Sequence, residues 1–195
     1  MVEQEPVELT MPAGPSRLAF FAAMAFGLVL VVFIAVLATS DGESGIGRSP
    51  LISKPAPLII GEAVDGSSFD LETHRGRWVV VNFFATTCVP CIVEHPELVA
   101  FDDAHRPVGD VSVVSIAFSD SSSNVREFFA ENGGDWSVLA EDTGRHAIGY
   151  GVAAVPETYL VAPSGIITSK FTGGVTQADL DAEIDRLDGA AGTTS

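Results

Sequence analysis

Apolar positions along this chain follow three different spacings. From Leu18 to Ala38 they are continuous, 21 residues without a charge or a proline. As a helix rising about 1.5 Å per residue, such a run spans roughly 31 Å, close to the hydrocarbon core of a bilayer. Shorter continuous runs, Trp78 to Phe84 (WVVVNFF) and Val111 to Phe118 (VSVVSIAF), have the length and β-branched character of strands covered on both faces. From Cys88 to about Ala104, apolar residues recur at helical spacing, and they do so again after Thr176, where Leu180, Ile184 and Leu187 share one face.

Between these landmarks the smaller elements are punctuated by turn residues. Leu58–Ile60 and Ser68–Leu71 read as short strands around the turn Asp65-Gly66. The run Asp120 to Asn124 (DSSSN) offers capping side chains for a helix from Val125 to Asn132, ended by Gly133-Gly134. Trp136–Ala140 is a short strand and Thr143–Tyr150 a short helix. Glu157–Val161 and Ile166–Phe171 flank Ala162-Pro163-Ser164-Gly165, a hairpin signal. Pro96 removes a backbone donor inside the Cys88 helix and predicts an interruption or kink there. Strands and helices alternate early and finish with a hairpin and a helix, which implies an α/β domain, a central mixed β-sheet flanked by helices.

The same pattern divides the chain. Residues 1–17 are expected to form a short polar, acidic tail on the cytoplasmic side, and 18–38 the transmembrane anchor. Residues 39–57, rich in Gly, Ser and Pro without apolar periodicity, are expected to be a flexible linker. Residues 58–188 are the folded domain and 189–195 a flexible tail. A cleaved signal peptide is the alternative for the apolar run, but such segments have apolar cores of about 7 to 15 residues, so an uncleaved, single-pass anchor is favoured. Positive charges on its two sides give little orientation bias. A single N-terminal anchor usually carries the chain beyond it across the bilayer, which places the domain on the extracytoplasmic side of the cell membrane. The net charge of −16 argues against nucleic acid as a partner.

Chemistry enters with Cys88-Val89-Pro90-Cys91, the only two cysteines among 195 residues. Cys88 falls at a helix N-terminus, where unsatisfied amides and the helix dipole favour a thiolate. Cys91, one turn further, faces the same side and can attack a mixed disulfide formed at Cys88. Pro90 is tolerated in the first turn. A structural staple over so short a loop would contribute only about 2 kcal/mol. A metal module is another reading, in which Cys88, Cys91 and His95 hold copper, His95 lying four residues after Cys91 on the same face. No second Cys or His cluster exists to complete a zinc site.

The run Val81-Asn82-Phe83-Phe84-Ala85-Thr86-Thr87-Cys88-Val89-Pro90-Cys91, with Glu94 and Pro96-Glu97-Leu98 after it, resembles the TlpA/ResA/CcmG (DsbE) group of membrane-anchored thioredoxin-like proteins. A second block, Tyr150 to Val161 (YGVAAVPETYLV), is similar to that group's segment around a cis-proline facing the cysteines. The likeness covers about Leu58 to Leu187. It implies a thioredoxin-like fold with Cys88 as attacking thiol and Cys91 as resolving thiol. It further implies that Glu94 tunes the pair, and that Val155, Pro156 and Glu157 form the substrate-binding wall. Asn82 stands where ordinary thioredoxins carry a buried acid, which makes Glu94 the candidate for that duty. Thr87, Phe84, Ala154 and Ala162 depart from the group's pattern, and these departures concern the substrate-facing surface.

The expected activity is therefore that of an extracytoplasmic thiol–disulfide oxidoreductase with no bound cofactor or resident metal. By resemblance it reduces protein disulfides, such as those of apocytochrome c before haem attachment, and is recharged by a membrane thiol shuttle of the CcdA/DsbD type. A DsbA-like oxidant that forms disulfides in secreted proteins is the alternative enzyme, since direction depends on reduction potential rather than on the two intervening residues. The copper-binding assembly module is the alternative without catalysis.

Overall fold

The computed structural model describes residues 17–39, 45–140 and 143–192, and the chain divides into two compact units, Met1–Asp41 and Gly42–Ser195. In the first, helix α1 (Arg17–Thr39) covers the apolar run. Its described side chains, Phe20, Met24, Phe26 and Phe33 among them, are exposed on all sides. Among the described residues no helix is long and apolar enough to cross a membrane. Of the acidic tail expected over 1–17, residues 1–16 lie outside the described residues, and Arg17 opens α1.

The second unit is built on a six-stranded mixed sheet. Strands β1 (Gly45–Ile46), β4 (Trp78–Phe84), β5 (Val111–Ala117), β6 (Ser137–Leu139), β7 (Glu157–Val161) and β8 (Ile167–Thr172) lie in the order β1-β8-β7-β4-β5-β6. β4, β5 and β6 run parallel, while β7, β8 and β1 are antiparallel to their neighbours. All seven residues of β4 are buried, as a strand covered on both faces requires. One face packs Val80, Val113, Leu160 and Phe171 against α2 (Val89–His105) and α5 (Gln177–Gly192), with α3 (Ser122–Asn132) beside them. The other packs Val79, Val81, Phe83 and Ile116 beneath the two-stranded ribbon β2 (Ile60–Glu62)/β3 (Ser68–Asp70), the 3-10 turn Leu71–His74 and α4 (Gly144–Tyr150). The architecture is the thioredoxin-like α/β fold that the sequence implied.

Four details differ from the sequence reading. The stretch read as linker is docked over much of its length: β1 pairs with β8, Ser53 N–H donates to Ile167 O, Ile167 N–H to Lys54 O, and Ala56 N–H to Gly165 O. These backbone bonds need no apolar period, which is why the composition reads as linker. The 58–60 strand is displaced to Ile60–Glu62, because the pairing partner is Ser68–Asp70 and Ile59 instead drops into the core. Helix α2 runs through Pro96 without interruption, since a proline removes a single ladder bond and packing on both sides of it, by Cys91 and Leu98, holds the helix. Helix α5 continues to Gly192, so part of the tail expected from residue 189 is helical.

Candidate active site

At the C-terminal end of β4 the chain leaves the sheet, turns through Ala85-Thr86-Thr87 and enters α2. Asp120, at the end of β5, grips this turn: its Oδ2 accepts from Thr86 N–H at 2.8 Å and from Thr86 Oγ1 at 2.6 Å. Partial burial works against the Asp120 carboxylate, yet the bonds from Thr86, Ser121 and Asn124 outweigh it and hold its pKa below the usual carboxylate value. Cys88 N–H donates to Ala85 O at 3.1 Å, which tightens the turn.

Cys88 is the N-cap of α2, in extended conformation, and Cys91 N–H approaches its Sγ at 3.3 Å. The two cysteines form a disulfide. Cys88 is half-buried and Cys91 buried, so one sulfur is offered to a partner and the other is held behind it. The Val155–Pro156 peptide is cis, and the Val155 carbonyl oxygen lies 3.5 Å from Cys88 Sγ. The structure thus brings Cys88, Cys91, Val155 and Pro156 together. A groove of about 440 Å³ opens beside the pair, lined by Val89, Pro90, Val93, Glu94, Gly174 and Val175, with Val89 and Val93 largely exposed.

Glu94, one turn beyond Cys91, is 3% exposed. Burial raises its pKa to about 7, opposed by three donors. Val175 N–H reaches Oε1 at 3.1 Å, Thr158 Oγ1 reaches Oε1 at 3.4 Å and Asn82 Nδ2 reaches Oε2 at 3.3 Å. Asn82 thus sits in the buried polar position, with its amide donating to the Glu94 carboxylate.

Glu157 is placed differently from its neighbours in the Val155–Glu157 wall. Its side chain is buried and its carboxylate is paired with Lys170 Nζ at 2.9 Å, with Ala153 N–H donating to Oε1 at 3.4 Å. That carboxylate supports the loop leading to Pro156 from below and does not line the groove.

The surroundings of His95 give the copper reading no support. His95 Nε2 is bonded to Gly133 O at 2.9 Å, and its ring packs within Phe128, Phe129 and Trp136 at centroid distances of 4.8, 4.9 and 5.6 Å. Burial depresses its pKa. Among the described residues no group of three His, Cys, Asp or Glu side chains is arranged to hold a metal ion.

Four residues bonded into the surroundings of the site are not singled out by the sequence reading: Asp120, Thr158, Ser115 and Trp136. Thr158 follows the Pro-Glu pair by one residue and could have been found from that block. Asp120 reads equally well as one of several capping residues. Ser115 and Trp136 carry no local signal.

Comparison with known proteins agrees with this geometry. The Redoxin family profile matches residues 52–185. A thiol:disulfide interchange protein DsbE homolog from Paracoccus denitrificans is 34% identical over 167 residues, covering 79% of this chain and 89% of its own. The thiol:disulfide interchange protein HelX of Rhodobacter capsulatus is 29% identical over 165 residues, covering 82% and 91%. Among solved structures, a thioredoxin-family thiol:disulfide interchange protein from Chlorobium tepidum superposes with a TM-score of 0.62 at 28% identity, over 72% of this chain and 98% of its own.

Proposed function

Because the chain belongs to the Redoxin family and is a thiol–disulfide oxidoreductase with the Cys88–Cys91 pair, we propose that it works as a reductant of protein disulfides outside the cytoplasm. The observation that carries this reading is the half-buried Cys88 Sγ, approached by the Cys91 amide, in front of the buried Cys91 sulfur.

In the reduced protein the Cys88 thiolate attacks one sulfur of a partner's disulfide and the partner's other sulfur leaves as a thiolate that takes a proton. Cys91, losing its proton, then attacks Cys88 Sγ of the mixed disulfide and releases the second partner sulfur as a thiol. The partner gains two electrons, given up by the Cys88–Cys91 pair as its disulfide forms, and two protons, one lost by Cys91 and one drawn from solvent in place of the proton that Cys88 gave up on ionising. Glu94 is the acceptor for the Cys91 proton, its pKa being matched to a thiol near neutral pH. An extended partner segment would lie along Val155, its backbone addressed like an added strand. Val89 and Val93 supply an apolar shoulder for it.

Direction follows from electrostatics. Strong oxidants of this class owe their potential to a stabilised reduced form. Here a buried acid one turn from Cys91 disfavours a second negative charge on the sulfurs, which lowers the potential and favours reduction of the partner. Apocytochrome c before haem attachment is the proposed partner class, and a membrane thiol shuttle of the CcdA/DsbD type the proposed electron source. The anchor proposal rests on the sequence alone, on the uncharged run Leu18–Ala38, and with it goes the proposed extracytoplasmic side for the domain. In cells, Cys91→Ser should accumulate mixed disulfides with its partners. Failure to trap any, or a reduction potential in the range of disulfide-forming oxidants, would sink the reductant reading. Release of the protein by alkaline extraction of membranes would sink the anchor.

A further inference from the structure

Three polar side chains form one row across the centre of the sheet. Asn82 on β4 stands opposite Ser115 on β5 and opposite Thr158 on β7. All three are buried, on the face that α2 covers. The row continues outward to Trp136, whose indole N–H donates to Ser115 Oγ at 2.9 Å.

The direction of every bond in this row follows from its outer end. An indole nitrogen can only donate. Ser115 Oγ accepts from Trp136 and so turns its own proton to Asn82 Oδ1, 3.4 Å away. With the amide oxygen committed to β5, Asn82 Nδ2 must face the other way, donating to Thr158 Oγ1 at 3.0 Å and to Glu94 Oε2 at 3.3 Å. Thr158, already accepting, gives its proton to Glu94 Oε1. Every bond of the row therefore runs from Trp136 toward Glu94.

We propose that Trp136 is a positioning residue for the redox centre: its N–H, acting through Ser115, locks the Asn82 amide with its donor end toward Glu94. This rests on the proton-accepting role proposed for Glu94. Without the indole N–H, Ser115 can reverse, the amide can turn its oxygen inward, and a protonated Glu94 gains an acceptor. The ionised form loses the same bond.

The charged and titratable groups around Glu94 do not account for such an effect. Cys91 precedes it and Glu97 follows it on α2. Glu157 of β7 is paired with Lys170 of β8, His95 is bonded to Gly133, and Asp179 of α5 accepts from Thr176. β4, β5 and the turn before β6 bring the neutral groups Asn82, Ser115 and Trp136.

The test uses the full chain in detergent, oxidised, with glutamate labelled at the carboxyl carbon, and follows the Glu94 signal against pH by NMR. Trp136→Phe should raise the Glu94 midpoint by roughly one pH unit, about tenfold in its acid constant. Ser115→Ala keeps the tryptophan packing and should raise the midpoint in the same direction. The double variant should move it no further than either single change, because both cut one path. An unmoved midpoint in both single variants, or additive shifts in the double, would overturn the proposal. Thiol alkylation of the reduced protein separates the two readings. A profile unmoved by Glu94→Gln, with the midpoint still moved by Trp136→Phe, overturns the role of Glu94 and leaves the row standing. The reverse pattern overturns the row alone.

Discussion

The Cys91 amide approaches Cys88 Sγ at 3.3 Å from within the first turn of α2, so the helix finds its cap in the more accessible of its two sulfurs. In the reduced protein the same amide and the helix dipole stabilise a thiolate at that sulfur. Cys88 is expected to alkylate before Cys91, with a midpoint below the roughly 8.5 of a free cysteine. Cys88→Ser should abolish turnover while keeping the cap, whereas Cys88→Ala should also cost about 1 kcal/mol of stability. Mass-resolved alkylation and urea unfolding of the two variants check this, and an ordinary alkylation midpoint at Cys88 would count against it.

Glu94 couples the site to pH. Its pKa is about 7 in the folded protein against 4.5 for the same group in the open chain. Between those values the folded chain holds a proton that the unfolded chain has lost, so the group's contribution to stability declines as pH rises through that window. Glu94→Gln cannot ionise. In the oxidised protein, where the sulfurs do not titrate, the variant should therefore gain on the wild type between about pH 4.5 and 8, by at most about 3 kcal/mol. Urea midpoints that run parallel for the two proteins across this range would refute the buried-acid account.

His105 ties α2 to α5. Its Nε2 meets Asp181 at 2.9 Å and its Nδ1 meets Asp110 at 3.2 Å. Burial opposes the protonated ring, but the two carboxylates outweigh it and hold the pKa above the usual histidine value. A raised pKa means the stabilisation is full below the unfolded histidine value near 6.5 and is lost as pH rises through the folded one. His105→Gln should cost up to about 1 kcal/mol at about pH 5.5 and little at about pH 9. Thermal melts at the two pH values are the measurement, and an equal loss at both would disprove the linkage.

Lys170 and Glu157 are a buried pair, so removing one partner is worse than removing both. Lys170→Met should cost about 3–5 kcal/mol by stranding the carboxylate, and Glu157→Gln added to it should recover most of that loss. A double variant no more stable than Lys170→Met would show that the lysine acts through packing alone.

How much of the molecule is legible in the sequence depends on the kind of interaction. Strand β4 and helix α2 are written in local patterns, a β-branched run and a 3.6-residue period that meet at a Cys pair, and the structure starts both within a residue of the expected position. The Val155–Glu157 block is visible because it is contiguous. The docking of residues 45–57 is invisible because main-chain pairing leaves no side-chain signature. The polar row is hidden because Asn82, Ser115 and Thr158 are brought to one level by strand register, over separations of 33 and 76 residues. A lone asparagine in an otherwise apolar strand is the one hint of it. Glu157 beside Pro156 suggests a surface role, but alternation along a strand sends adjacent side chains to opposite faces.

The grip of Asp120 on Thr86 has a consequence for recognition. It moors the turn that carries Cys88 to the ends of two central strands, so the sulfur stands at a fixed height above the sheet whatever approaches it. A client protein therefore meets a template rather than a pliable hand. Under the proposed function, the client's disulfide-bearing segment is the partner that adapts.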